Sequence, residues 1–561
     1  MTAEADALLA EARGHHQAGR LLEAERLYKR LAAKRPADAM LLSRLGAALA
    51  GQGKLVEALA ALRRALEIDA DLVDALNNIG IVHRLQGRVE AAAEAFNRAL
   101  AINPDLLSAH VNLGALLYDA GKPDEAEQVY RRALAIDPDL AEAHNGLGAV
   151  QLDRGALDEA AAAFERALAL DPGHAVALSN LGSVKRQQGD HSGAADCYRR
   201  ALVIRPRLVE AHANLGNMLR GEGAFDDAAA ALRRALDIDR SHPEAHWNLA
   251  GLLLLKGNFK DGWAEYEWRA KCRQFRGLKW DFGKPRWNGT AIRRKHILLY
   301  AEQGLGDAIQ FVRYVPLVAE QARHVVVRCP PPLARLFETV AGVAVVGPDI
   351  ETKTRFHVAA PLMSLPAILG TDLATIPSTV PYLAAPSGVA APLATTAAPA
   401  GTLKVGLAWA GNPEHKNDRN RSIGLARLAP LLDTPGCTFY SLQVGAGRDA
   451  IGRLCLGDRI TDLGQGFGDF ADTAATIAAL DLVIAVDTSV AHLAGALAKP
   501  VWTLLPRVPD WRWLMDRDDS PWYPTMRLFR QRTAGDWSAV VAAVAAALRD
   551  RAAQGAPAAG S

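Results

Sequence analysis

The feature that most constrains this chain is a period of 34 residues running from the start to about residue 276. A small residue recurs as Ala12, Gly46, Gly80, Gly114, Gly148, Gly182, Gly216 and Ala250. An alanine recurs as Ala24, Ala58, Ala92, Ala126, Ala160, Ala194 and Ala228. A large side chain follows four residues later, at Tyr28, Leu62, Phe96, Tyr130, Phe164, Tyr198 and Leu232. Pro36, Pro104, Pro138, Pro172 and Pro206 close most units. Small residues let paired helices approach, the large one fills the groove between them, and the proline ends the second helix. A unit this short cannot bury its own apolar face, so it must stack on its neighbours. The sequence therefore predicts an all-α array over residues 1–276, built from about seven to eight helical hairpins.

This pattern resembles the tetratricopeptide repeat. The resemblance implies a superhelix whose concave face binds a protein or peptide. Two residues before the first-helix glycine stand Asn78, Asn112, Asn180 and Asn214, and Asn248 precedes Ala250 in the same way. Helices pack roughly 8–10 Å apart, and an extended chain covers roughly 3.3–3.6 Å per residue. A ladder of these amides could hold the backbone of an extended peptide about every third residue. The O-linked N-acetylglucosamine transferases have a repeat superhelix whose inner asparagines do this, and the array is similar to theirs. The same series also follows if asparagine is merely common at this site of the motif. The ladder is interrupted, because Gly146 occupies the position and Asn145 stands one step, about 100°, off the face.

Beyond the repeats comes "RAKCRQFRGLKWDFGKPRWNGTAIRRKH", residues 269–296, of which 277–295 read as a basic linker. Short apolar runs then alternate with helical stretches: "HILLYAE", "HVVVRC", "VAVVG", "FHVAAPLMSLP", and later "LKVGLAWAG", "CTFYSLQVG", "RITDLG", "LVIAVD" and "KPVWTLLP". Apolar runs buried on both faces and alternating with helices imply parallel sheets with crossover helices. Two Rossmann-like α/β lobes are expected, at 296–385 and 403–552. An Ala/Pro-rich linker at 386–402 should join them, and a disordered tail should occupy 553–561. Ligands of such sheets sit at the carboxyl ends of the strands.

Several polar residues fall at those strand ends. Gly304-Leu305-Gly306-Asp307 lacks the third glycine of a dinucleotide cradle, since Ile309 stands there. Asp307 then reads either as a helix N-cap or as an acid that does chemistry. Asp487, Thr488, Ser489 and His492 stand where a strand turns into a helix, which makes either an N-cap or an anion site. Asn412, His415, Lys416, Arg419 and Arg421 crowd the loop after another strand, and Gln443 ends a further one.

The segment "LVIAVDTSVAHLAGALAKPVWTLL" resembles the donor-site helix of lipopolysaccharide heptosyltransferases, two-lobed (GT-B) enzymes that use nucleotide sugars. Ser489 stands where that family usually has glycine, and Pro316 comes later than the family's proline. The resemblance implies that Asp307, in the family's Gly-Asp turn, is a general base. It implies that Arg421, Asp487, Thr488, Ser489 and His492 contact the donor, with Arg421 facing the leaving diphosphate; Asn412, from the polar loop, is added as a donor contact and Gln443 as a candidate for base or ribose. The whole arrangement is similar to bacterial repeat-fused glycosyltransferases, including those thought to modify flagellins.

Composition narrows the alternatives. A formal net charge of +2 argues against nucleic acid as the main partner. Five scattered cysteines without a C-x-x-C pair fit reduced thiols in a cytoplasm. "MTAEADALLAEARGHH" is unlike a signal peptide, and no apolar run reaches bilayer length, so a cytoplasmic protein that is not membrane-embedded is expected. No Asp-x-Asp ends a strand, so neither a metal nor a cofactor is expected. The expectation is an inverting, metal-independent glycosyltransferase. It would move a sugar from a nucleotide-sugar donor to Ser or Thr of a protein held by the repeats. The alternatives are a transferase acting on a glycolipid or polysaccharide, and an inactive scaffold that binds a nucleotide sugar.

Overall fold

The structure is a computed structural model and describes residues 2–275, 277–391, 399, 401–415 and 417–554. Residues 1–218 and 219–561 form two compact units. Among the described residues, sixteen α-helices run from Thr2–Gln17 to Phe259–Tyr266, paired as the period requires. The recurrent alanines from Ala24 to Ala228 are fully buried. A Cβ placed on Gly114, Gly148 or Gly182 would come within 2.7–2.8 Å of the ring of Tyr130, Phe164 or Tyr198. Those rings occupy the volume that the missing side chains leave free, which is why small and large residues recur together. The hairpin turns use a second glycine series, Gly19 through Gly257 at the same spacing, with φ of 71–90°. Side chains other than glycine rarely adopt that conformation.

The second unit contains two parallel sheets. The smaller has the order β3-β2-β1-β4, with β1 Ile292–Tyr300, β2 Ala322–Arg328, β3 Val343–Gly347 and β4 Val358–Pro361. The larger has the order β10-β9-β8-β5-β6-β7, with β5 Leu403–Ala408, β6 Cys437–Ser441, β7 Thr461–Asp462, β8 Leu482–Val486, β9 Val501–Leu505 and β10 Met526–Arg530. Among the described residues every ladder between these strands is parallel. An all-α repeat superhelix thus precedes an α/β part of parallel sheets.

The boundary between compact units falls at 218/219, not at 276. Phe259, Trp263 and Tyr266, from the last hairpin, lie in the same core as Ile297, Phe311, Trp511 and Trp522. The connector is likewise built into the α/β part: Trp287 is buried, its N–H donates to the Ala359 carbonyl at 2.8 Å, and β1 begins at Ile292. Lys416, residues 392–398 and 400 of the expected linker, and the expected tail from 555 onward lie outside the described residues. Among the described residues no helix is long and apolar enough to cross a membrane.

Candidate functional site

Strand β8 is buried along its whole length, so its first polar residues appear where it ends. Asp487 follows it, and Thr488 is the N-cap of the helix Ser489–Ala496. Thr488 makes no side-chain cap, and its Oγ1 is buried without a partner. The hydroxyl is therefore not spent on the helix, and the first-turn N–H groups stay directed at the same spot. The Asp487 carboxyl is pushed up to about 6, first by burial and then by the like charge of Asp510. His492 is buried one turn into the helix, with Nε2 3.9 Å from Asp487 Oδ1 and its ring stacked on Trp513. Burial, followed by the charges of Arg512, Arg313 and Arg421, holds this imidazole well below its usual range.

The turn after β1 meets this helix head-on. Gly304 caps the helix Leu305–Phe311, and Asp307 Oδ2 accepts from the Gly304 N–H at 2.9 Å. Asp307 thus does serve as a capping residue. A Cβ on Gly306 would sit 3.0 Å from His492 Cδ2 and 3.4 Å from Ser489 Cα, so glycine lets the two helix starts abut. Oδ1 of Asp307 accepts from Nη2 of Arg512. The Arg512 side chain is buried, donates from Nη1 to Asp510 Oδ1 at 2.6 Å and from Nε to Gln310 Oε1 at 2.7 Å, and lies over the Trp511 ring. Sequence reasoning missed Arg512; the one available signal was a charge inside the apolar run "DWRWL".

Arg421 ends a short helix, Asp418–Arg421, and lies across Gly411, where a Cβ would come within 2.6 Å of its guanidinium. Its Nε is 3.4 Å from Asp418 Oδ1. Its charge helps depress His415, which burial lowers first, while Asp510 and Asp307 oppose it. Asp307, Asp487, Asp510, Arg421, Arg512, His415 and His492 therefore share one electrostatic neighbourhood. Asn412 is exposed at its edge, its Oδ1 accepting from the Glu414 N–H in an Asx turn.

Gln443 must be withdrawn as a ligand contact. Its Oε1 accepts from the N–H groups of Trp409 and Ala410, and its Nε2 donates to the carbonyls of Ala410 and Val444. All the capacity of a buried amide is used to clamp the ends of β5 and β6 together. Glu302 is buried beside Arg269, whose Nη2 donates to its Oε1 at 2.8 Å; burial pushes its carboxyl up to about 7. Among the described residues no group of three or more His, Cys, Asp and Glu is placed to hold a metal ion.

The asparagine series bridges neighbouring repeats. Nδ2 of Asn112 donates to Asn77 Oδ1 and Nδ2 of Asn180 to Asn145 Oδ1, both at 3.0 Å. Nδ2 of Asn78 and Asn214 donates to the hydroxyls of Ser43 and Ser183 at 3.3 Å. Asn145 is therefore part of the ladder, while a side chain at Gly146 would run into the Tyr130 ring. Asn248 lies half-buried in the helix Pro243–Leu255.

Family models described as tetratricopeptide repeat match residues 37–105, 71–139, 173–241 and 109–175. Protein FlbA of Caulobacter vibrioides is 29% identical over 317 residues, which cover 52% of this chain and 52% of that protein. The chain thus spans about half the length of the curated relative it matches. Among solved structures, the Cut9–Hcn1 complex of the APC/C is 18% identical, with a TM-score of 0.41, over 47% of this chain and 52% of that one. A tetratricopeptide repeat protein from Parabacteroides merdae is 21% identical, with a TM-score of 0.37, over 44% of this chain and 97% of that one. The chain carries tetratricopeptide repeats over residues 37–241, ahead of an α/β part of parallel sheets.

Proposed function

We propose that the second unit is an inverting, metal-independent glycosyltransferase and that the repeats present its protein acceptor. One observation carries this reading. Two strand-to-helix turns, one from each sheet, abut through Gly306 and gather Asp307, Asp487, Arg421, Arg512 and the unpartnered Thr488 hydroxyl. A plain structural junction has no use for a buried free hydroxyl beside open helix N–H groups, whereas a diphosphate does.

In this reading the acceptor hydroxyl attacks the anomeric carbon of the sugar, and its proton passes to the Asp307 carboxylate. The bond from that carbon to the phosphate oxygen breaks, and the nucleotide leaves with the electron pair. Asp307 keeps capacity for this, because a carboxylate accepts about four hydrogen bonds and two are in place. Arg421, Thr488 Oγ1 and the N–H groups of the Ser489–Ala496 helix meet the charge that develops on the leaving phosphate. Asn78, Asn112, Asn180 and Asn214 each give one N–H along the array, so the second N–H and the Oδ1 of each are the groups offered to a guest backbone.

Calorimetry with UDP, GDP, ADP and CMP sugars tests the donor site. At least one should bind, and Arg421→Ala should weaken it about ten-fold or more, as for a charged contact. Asn180→Ala with Asn214→Ala should leave that affinity in place. Failure of every donor to bind the wild type would favour a scaffold.

A further inference from the structure

His492 has a second neighbour besides Asp487. Its Nδ1 lies 2.9 Å from the Tyr523 hydroxyl. That hydroxyl is 3.4 Å from the Tyr382 hydroxyl, which donates to the Ile309 carbonyl at 3.0 Å and accepts from Arg313 Nη2 at 2.9 Å. Arg313 is itself buried: its Nε donates to the Gln310 carbonyl, its Nη1 to the Trp522 carbonyl, and its guanidinium lies 4.5 Å from both tyrosine rings. The hydrogens in this chain can be assigned by elimination. Tyr382 has one hydrogen, and the Ile309 carbonyl is its nearest acceptor. Burial raises the Tyr523 hydroxyl well above its usual range, so it keeps its hydrogen, and its nearest acceptor is His492 Nδ1. A neutral imidazole carries a single N–H, which must then be on Nε2, the nitrogen facing Asp487 Oδ1. The opposite tautomer would aim a lone pair at that carboxyl and leave Tyr523 only the 3.4 Å contact. Trp513 on one side and Gly306 against Cδ2 hold the ring plane.

We propose that Tyr523, held by Tyr382 and Arg313, is a positioning residue that fixes His492 as the Nε2–H tautomer, so that the histidine meets a ligand as a hydrogen-bond donor and not as a base. The nature of the ligand rests on the function proposed above: an oxygen of the nucleotide's leaving phosphate is what such a donor recognises at this helix start. Burial first, and then the charges of Arg512, Arg313 and Arg421, oppose a second proton on the ring against the pull of the Asp487 carboxyl 3.9 Å away, so the donor keeps one form across neutral pH.

The test uses the full chain with isotope-labelled histidine rings and reads the tautomer from the ring nitrogen shifts. The His492 signals are those absent in His492→Gln or, should that variant not fold, in His492→Asn. The expected result is a protonated Nε2 and a bare Nδ1, turning into a mixture in Tyr523→Phe. A proton on Nδ1, a doubly protonated ring at neutral pH, or an unchanged tautomer in Tyr523→Phe would overturn the proposal. Titration with UDP and GDP forms the second arm. His492→Asn should lose about ten-fold or more in affinity, and His492→Gln should recover most of it, because only the glutamine amide reaches the place of Nε2. Equal losses in the two variants would count against the donor role. If neither nucleotide binds the wild type while the ring carries its proton on Nε2, the transferase reading fails and the tautomer assignment stands.

Discussion

Residues 277–561 alone should not fold, whereas 207–561 should, because the last repeat hairpin is part of the α/β core. Phe259, Trp263 and Tyr266 each keep only 2–3% of their surface exposed. Trp263 meets Trp511 edge-on at 5.2 Å and donates from Nε1 to the Thr371 carbonyl at 3.0 Å. Losing one buried large aromatic costs roughly 3–5 kcal/mol, so three together remove about 10 kcal/mol, even allowing for overlap between neighbours. The same cut removes Arg269 and leaves Glu302 buried without its partner, at a further cost of roughly 3–5 kcal/mol. A whole domain is stable by only about 5–15 kcal/mol. The shorter piece therefore has nothing left, while the longer one keeps the hairpin and the whole helix Val209–Glu222. Near-ultraviolet circular dichroism with thermal melting reads the outcome. A cooperative melt for 207–561 and none for 277–561 is expected. A cooperative transition in 277–561 within a few degrees of the longer piece would refute the reasoning.

Gln443→Ala should destabilise the protein by about 2–4 kcal/mol, because it leaves the N–H groups of Trp409 and Ala410 and the Ala410 carbonyl, just past β5, without partners; urea unfolding checks this, and a stable variant would return Gln443 to the list of ligand contacts. Asp487 has a folded-state value near 6, above that of an unfolded aspartate, so the native state holds the extra proton and stability falls as pH rises from about 4 to 6. Asp487→Asn should therefore melt higher than wild type at pH 7.5, with the gain vanishing toward pH 4; melting curves across pH test the sign.

Eight of the ten strands, β1–β6, β8 and β9, stood out in the sequence because each holds an apolar run, and β7, Thr461–Asp462, was marked only by the short stretch "RITDLG" around it. Strand β10, Met526–Arg530, did not, since Arg527 and Arg530 interrupt it, as an edge position tolerates. The repeats were legible because each small residue has its large partner at fixed spacing. The role of the last hairpin was missed, although the position held by Ala161, Ala195 and Ala229 becomes Trp263, a side chain large enough to reach the core of the α/β part. At the candidate site, residues adjacent to strand ends could be read locally. Arg512 and Tyr523 could not, because they reach Asp307 and His492 from 205 and 31 residues away. Gln443 misled because a polar side chain at a strand end can tie two strands together as readily as it can meet a ligand.

Sugar transfer is tested most directly by mass spectrometry of cellular proteins co-expressed with the wild type or with Asp307→Asn. The substitution keeps shape, but its single oxygen can hold only one of the Gly304 N–H and Arg512, so it should cost about 1–3 kcal/mol, and both proteins are compared below their melting temperatures. A hexose- or amino-sugar-sized mass increment on an acceptor Ser or Thr is expected with the wild type, falling by about 10²–10⁴-fold in Asp307→Asn, as for loss of a general base, while donor affinity persists. An increment undiminished in Asp307→Asn, or absent with the wild type for every donor supplied, would contradict it.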